Sequence, residues 1–270
     1  MLLGRMSLVK SSIVVIPCYN EVRRLPIVTF QNFVRNESAV KFIFVNDGSA
    51  DETLRVLEEL HDFARDRVQI CNLSENVGKA EAVRQGVLLA FESAPNYVGY
   101  WDADLATPLK AIASFSELLD RKPEVEMVFG ARVQMLGRSI ERSPLRHYPG
   151  RIFATAASVL LGIPIYDTQC GAKLFRVSPV VQSLFQEPFL DRWLLDVELI
   201  ARLILERRGT GLVQAEEMIY EFPLDKWRDV PGSKVKPQDF VRAFAGLARI
   251  YLRYGGGRVL RYTSLKSYVL

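Results

Sequence analysis

The sequence predicts an α/β protein with a mainly parallel sheet flanked by helices, formed as one domain with a basic helical extension at its C-terminus. Three observations carry this. Apolar runs rich in β-branched and aromatic residues end in Pro, Asn, Asp or Gly, helical patterns lie between them, and the two alternate through the first half. The 270 residues, 49% of them hydrophobic, are ample for one large core.

Residues 12–17 (SIVVIP) and 40–47 (VKFIFVND) read as buried parallel strands. A helix follows over 51–63, with Leu54, Leu57 and Leu60 at helical spacing behind Asp51, a residue suited to an N-cap. Further strands are expected at 68–73, 97–101 and 127–130, separated by helices near 78–91 and 108–119. An Arg-rich connection over 132–151 then leads into an apolar helix over 152–163, and helices follow near 196–208 and 237–254. No internal repeat or Pro/Ser/Gly-rich linker divides the chain, so residues 1–235 are expected as one domain. Residues 236–270 are expected as an amphipathic extension packed on it or on a membrane surface.

The net charge is +4, but residues 228–270 hold nine Lys or Arg against two Asp. Such asymmetry points to an anionic surface or ligand near the C-terminus and away from general nucleic-acid binding. Cys18, Cys71 and Cys170 are odd in number, widely spaced and without a CxxC pair, which predicts a reducing cytosolic setting. No basic segment followed by a long apolar one opens the chain, so no secretory signal is expected. The apolar run over 152–163 is shorter than the roughly 18 to 20 residues that cross a bilayer.

Ligands of parallel α/β sheets bind at the carboxyl ends of the strands. In this chain those ends are acidic: Pro17-Cys18-Tyr19-Asn20-Glu21 after the first, Asn46-Asp47-Gly48-Ser49-Ala50-Asp51 after the second, and Trp101-Asp102-Ala103-Asp104 after the fourth. Carboxylates gathered in one crevice repel unless a cation compensates, and a hard divalent ion with oxygen ligands is the usual solution beside phosphates. Asp102 and Asp104, at i and i+2, are the expected ligands of such an ion carrying a nucleotide diphosphate.

These three segments, with Asn76-Val77-Gly78-Lys79 between them, resemble in order and spacing the signatures of family 2 glycosyltransferases of the GT-A fold, a Rossmann-like α/β fold. Residues 167–175 (DTQCGAKLF), 192–199 (RWLLDVEL) and 231–235 (PGSKV) are similar to the branch that glycosylates polyprenyl phosphates, most of all to dolichyl-phosphate β-glucosyltransferases. Ala106 stands where many relatives carry a further polar ligand, which fits the glucosyl subgroup better than the mannosyl one.

The resemblance implies an inverting, metal-dependent transfer of a hexose, glucose from UDP-glucose, to a lipid phosphate at the cytoplasmic face of a membrane. It implies a nucleotide site formed by Pro17, Tyr19, Asn20, Glu21, Asp47, Gly48, Ser49, Asp51, Asn76, Gly78, Lys79, Asp102 and Ala103, with Asp47 accepting hydrogen bonds from the uracil. Arg132 is expected to meet a phosphate, and Asp196 and Glu198 to orient the acceptor or sugar hydroxyls. Arg138, Arg142 and Arg146 of the Arg-rich connection, with Gln169, Lys173 and Lys234, are expected at the acceptor. Two other readings stay open: transfer to a hydroxyl of a polysaccharide or glycolipid, with Asp196 as base, and a non-catalytic nucleotide-sugar-binding subunit.

Overall fold

The computed structural model describes residues 10–142, 144–232 and 237–255, and the side chains of all these except 144–147 and 237–240. Lys234 and the side chain of Arg146, both expected at the acceptor, lie outside the described residues.

A seven-stranded sheet organises the chain in the order β3-β2-β1-β4-β7-β5-β8. Its strands are β1 (Ser12–Cys18), β2 (Val40–Asp47), β3 (Val68–Leu73), β4 (Tyr97–Trp101), β5 (Met127–Ala131), β7 (Ala172–Arg176) and β8 (Ile219–Pro223). All run parallel except β7, which lies antiparallel between β4 and β5. A small parallel pair, β6 (Ser139–Glu141) with β9 (Lys226–Arg228), stands beside it.

Helices cover both faces of the central strands, which is why β1, β2, β4 and β5 are buried at nearly every position. On one face Val14, Ile16, Phe42, Phe44 and Trp101 pack among α1 (Ile27–Asn36), α2 (Thr53–Phe63) and α4 (Ala111–Arg121). On the other, Val15, Val45, Tyr100 and Phe129 pack among α3 (Lys79–Glu92), α5 (Pro144–Leu161), α6 (Pro179–Leu184) and α7 (Leu195–Arg207). A short α8 (Ala215–Met218) precedes β8. The last helix, α9 (Pro237–Tyr254), buries Leu247 and Ile250 against this second face. Its Phe244 ring lies 6.0 Å from that of Phe153 on α5.

The expected Arg-rich connection is corrected: its middle forms β6 and its end is the first half of α5, which begins at Pro144. Residues 132–151 are therefore not one open loop. None of the described helices is long and apolar enough to cross a membrane.

Candidate active site

Parallel strands place their carboxyl ends at one edge, and the expected polar residues collect there. Asn20 adopts φ 51°, a left-handed conformation that asparagine tolerates. Its N–H donates to Ser49 Oγ at 3.0 Å and its Oδ1 accepts from Ala50 N–H at 2.8 Å. Glu21 N–H reaches Thr53 Oγ1 at 2.8 Å, while Asp51 Oδ1 accepts from Thr53 N–H at 3.0 Å. The loops after β1 and β2 are thereby fastened to each other, with Tyr19 and Glu21 on one, just beyond Pro17 of β1, and Gly48, Ser49 and Asp51 on the other. Gly48, at φ +60°, packs so close to the backbone at Glu75 that a β-carbon would lie 2.3 Å away.

Asp47 differs from its expected use. Its carboxylate accepts from Val77 N–H at 2.7 Å, Gly78 N–H at 3.1 Å and Asn76 Nδ2 at 2.9 Å, fixing the loop before α3. Burial raises its pKa, and those N–H donors with the Arg192 charge oppose the rise. Arg192, which the sequence reading passed over, packs its side chain over Gly78 and bonds Asn76.

Gly78, at φ +99°, turns the chain into α3, and Lys79 is the helix's first residue. Lys79 Nζ lies 2.5 Å from Asp102 Oδ1. Burial works to lower the Lys79 ammonium, but the charges of Asp102 and Asp196 outweigh it and hold the pKa above its ordinary value. Asp102 follows β4 and donates its N–H to the Gly171 carbonyl at 2.8 Å. Buried Ala103 and Leu105, at φ 51°, complete the tight turn that presents Asp104. Asp104 pairs through Oδ2 with Arg24, whose Nη1 lies 3.3 Å from Glu21 Oε1. Burial and then the Asp102 charge push the Asp104 carboxyl up, and Arg24 counters them.

Among the described residues, no three His, Cys, Asp or Glu side chains gather as a metal cage. The chemistry of Asp102 and Asp104 nevertheless fits a hard cation. They are oxygen donors that repel each other, and each already holds a cationic group.

Deeper in the sheet three expectations are corrected. Lys173, on β7, is 0% exposed. Its ammonium donates to Cys170 O at 2.6 Å and Thr168 O at 3.2 Å and pairs with Asp196 Oδ1 at 3.1 Å. A buried lysine needs such partners, so Lys173 is an internal tie and not an acceptor contact. Asp196 is only 3% exposed and also accepts from the Tyr100 hydroxyl. Burial raises its pKa, opposed by Lys173 and Lys79.

Glu198 is buried as well, accepting from Leu190 N–H at 2.8 Å, Arg202 Nη2 at 2.7 Å and the Tyr254 hydroxyl at 2.8 Å. It ties α9 to α7, and a carboxylate so enclosed cannot orient a substrate.

Arg132 follows β5 and grips buried Asp167 in a fork, Nε to Oδ2 at 2.6 Å and Nη2 to Oδ1 at 2.7 Å. Against the push of burial, Arg132 holds the Asp167 carboxyl well below the usual range. The guanidinium also lies 5.3 Å over the Trp227 ring. Arg142 stands near Arg132, and burial first, then that like charge, lowers its pKa. Arg151 donates to Tyr166 O at 2.7 Å and stacks 3.8 Å over the Tyr166 ring. Arg138 is drawn off to the β6 edge, where it bonds Pro223 O and Asp225. Gln169 lies in the turn between Asp167 and Gly171, its Nε2 buried with no partner among the described residues.

A mostly parallel sheet of this order, with carboxylates at its carboxyl edge, is an α/β architecture of the GT-A type. The sequence profile described as glycosyl transferase family 2 matches residues 13–183, and the chain belongs to that family. It is a glycosyltransferase. Dolichyl-phosphate beta-glucosyltransferase of Saccharomyces cerevisiae is 30% identical, over 82% of this chain and 68% of its own. That of Mus musculus is 29% identical over 89% of this chain and 75% of its own, and one from Trichomonas vaginalis is 26% identical over 90% and 71%. Among solved structures, glucosyl-3-phosphoglycerate synthase from Mycobacterium tuberculosis, in complex with Mn²⁺ and UDP-glucose, superposes with a TM-score of 0.64 at 17% identity. That match covers 91% of this chain and 79% of the other.

Proposed function

We propose that this glycosyltransferase moves glucose from UDP-glucose to a polyprenyl or dolichyl phosphate with inversion, and that Mg²⁺ or Mn²⁺ on Asp102 and Asp104 serves the donor diphosphate. The observation that carries the reading is the meeting, at one sheet edge, of Asp102, Lys79 and the turn before β7. The relatives named above as dolichyl-phosphate beta-glucosyltransferases support the acceptor class, and the synthase's complex with Mn²⁺ and UDP-glucose supports the donor and the ion.

A bound divalent ion would stabilise the charge that develops on the departing diphosphate. Lys79 and Arg24 supply donors to the same oxygens. Pro17, Tyr19, Asn20, Glu21, Ser49 and Asp51 face the nucleoside, with Asp47 acting through the loop it holds. Arg142 and Arg151, beside the Arg132–Asp167 fork, receive the acceptor phosphate, and the buried donor of Gln169 bonds a sugar or acceptor oxygen.

A phosphate monoester has its second pKa at about 6 and is largely ionised at neutral pH, so it attacks the anomeric carbon without a base. That matters because Asp196 is enclosed by Tyr100 and Lys173. A hydroxyl acceptor would require an accessible carboxylate, which neither Asp196 nor Glu198 provides.

The chain works at a membrane surface, on the cytoplasmic side. Exposed Ile152 and Val159 on α5 and Val241 and Leu252 on α9 support shallow contact, with Arg253 in the last turn of α9 and Arg249, half exposed, paired to Asp191 at 2.7 Å. Incubation with Mn²⁺, radiolabelled UDP-glucose and a short polyprenyl phosphate tests the proposal and should yield organic-extractable glucose. No labelled lipid with any polyprenyl phosphate and any common nucleotide-sugar would discard it.

A further inference from the structure

Both carboxylates of the Asp102–Asp104 turn are neutralised by the chain itself. Lys79 Nζ sits 2.5 Å from Asp102 Oδ1, and Arg24 pairs with Asp104 while sharing Glu21. These four side chains are partly shielded from water, with exposures of 24% for Lys79, 39% for Asp102, 17% for Arg24 and 15% for Asp104. Charges so placed interact more strongly than on an open surface. With Glu21 included, three negative charges face the two positive ones, so most of the charge of the turn is already cancelled. A bare divalent ion arriving there gains little attraction and meets two cations at contact distance. A nucleoside diphosphate sugar changes the balance, because its diphosphate brings two negative charges and fresh acceptors for both cations.

The side chains are built for such an exchange. Lys79 begins α3, so its flexible stem can turn without disturbing the helix. Its ammonium rests 5.5 Å from the centre of the Tyr100 ring, on the side of the site where β4 ends. Arg24 Nε is buried with no partner among the described residues, a donor that its present carboxylates leave unused.

We infer that Lys79 and Arg24 are internal counter-ions of Asp102 and Asp104 that exclude a bare divalent ion and transfer to the diphosphate, so that metal enters together with the nucleotide and not ahead of it. This rests on the proposed metal–diphosphate role of the two aspartates. It adds the order of binding and the residues that set it.

The test is a titration of Mn²⁺ followed by electron paramagnetic resonance of the free ion, with and without UDP. Wild type, Lys79→Gln, Arg24→Gln and Lys79→Arg are compared, with thermal melting as the check on folding. Wild type should bind Mn²⁺ weakly alone and at least about tenfold more tightly with UDP. Lys79→Gln and Arg24→Gln should each bind bare Mn²⁺ on the order of tenfold more tightly than wild type, and the gain from UDP should shrink. Lys79→Arg, which keeps the charge, should behave as wild type, an outcome that a merely structural role for Lys79 would not produce. Should one neutral variant fail to fold, the other carries the comparison. If wild type responds to UDP but neither neutral variant binds bare Mn²⁺ more tightly, the counter-ion inference falls while the metal assignment stands. If wild type binds no Mn²⁺ even with UDP, both fall.

Discussion

Gly171 lies so close against Asp102 that a β-carbon built on it would sit 1.7 Å from Oδ2. The carboxylate occupies the space a side chain would need, and the Asp102 N–H is fixed to the Gly171 carbonyl from the same side. Gly171→Ala must therefore push the carboxylate out of place. We expect a fall in kcat/KM of a hundredfold or more, about what the loss of one well-placed electrostatic group produces. Unfolding free energy should drop by only about 1–3 kcal/mol, since a short side chain can yield. Calorimetric titration with Mn²⁺ and UDP checks the cause: unaltered affinity in a folded, inactive variant would contradict it.

Asp104→Ala should abolish turnover and leave the fold intact. Burial and the Asp102 charge both disfavour the ionised Asp104 carboxylate, so removing it relieves a cost, and Arg24 keeps Glu21 as a partner. Melting temperature should stay within a few degrees of wild type. Full activity at limiting Mn²⁺ would refute the assignment.

Asp196→Asn should act first on stability. It leaves the Lys173 ammonium buried without its carboxylate, a loss of about 3–5 kcal/mol by analogy with broken buried pairs. Combining Asp196→Leu with Lys173→Met removes both charges and should cost less than Asp196→Leu alone, as a urea-denaturation cycle would register. Assayed well below its melting point, Asp196→Asn should retain substantial turnover with a phosphate acceptor. Complete loss in folded protein would favour a base role and a hydroxyl acceptor.

The Arg132–Asp167 fork makes stability depend on pH in a defined direction. The folded-state pKa of Asp167 is depressed, so its contribution is fully present above the unfolded carboxyl value of about 3.9 and is lost as pH falls below it. Asp167→Asn should be destabilised by about 3–5 kcal/mol at pH 7, with Arg132 left buried and unpaired. The gap from wild type should narrow as urea melts are taken from pH 5 towards pH 3. A gap constant over that range would mean the pair contributes no charge interaction.

Membrane contact through α5 and α9 should be electrostatically assisted and reversible. The protein should float with vesicles containing anionic lipid, and paired substitution of Arg249 and Arg253 by Gln should weaken flotation. Each basic residue is worth about 1 kcal/mol near such a surface. Flotation unchanged in the double variant would remove this face from the contact.

Five of the parallel strands were legible nearly to the residue, the central ones because strands covered on both faces become continuous apolar runs, as β2 and β4 show. The parallel β8, half-buried at the sheet edge with Glu221 in its middle, was not among those expected. The strand β7 escaped because Lys173 and Arg176 break its apolar pattern, and the buried Lys173 charge is met by Asp196, a partner supplied by a distant helix, beside two backbone carbonyls. The same limit governs the site. Aspartates at strand ends were visible as such, whereas Arg24 meets Asp104 across 80 positions of sequence and carried no local mark beyond its turn with Glu21. Asp167 stood in a recognised segment, yet its bond to Arg132 lay hidden. Glu198 was expected near the acceptor from the resemblance of residues 192–199, and only packing of α9 reveals it as enclosed.

The antiparallel seat of β7 also has a bearing on synthesis at the ribosome. Strands β1 to β4 can pair as soon as they emerge, but β5 touches none of them and joins the sheet only through residues 172–176. A nascent chain halted near residue 165 would thus hold the loops after β1 and β2 beside an unfilled seam. Pairing of Ala172 with Trp101 closes that seam and in the same movement brings Gly171 against Asp102. The carboxyl edge of the sheet is completed late, by the same zippering that unites the two halves of the protein.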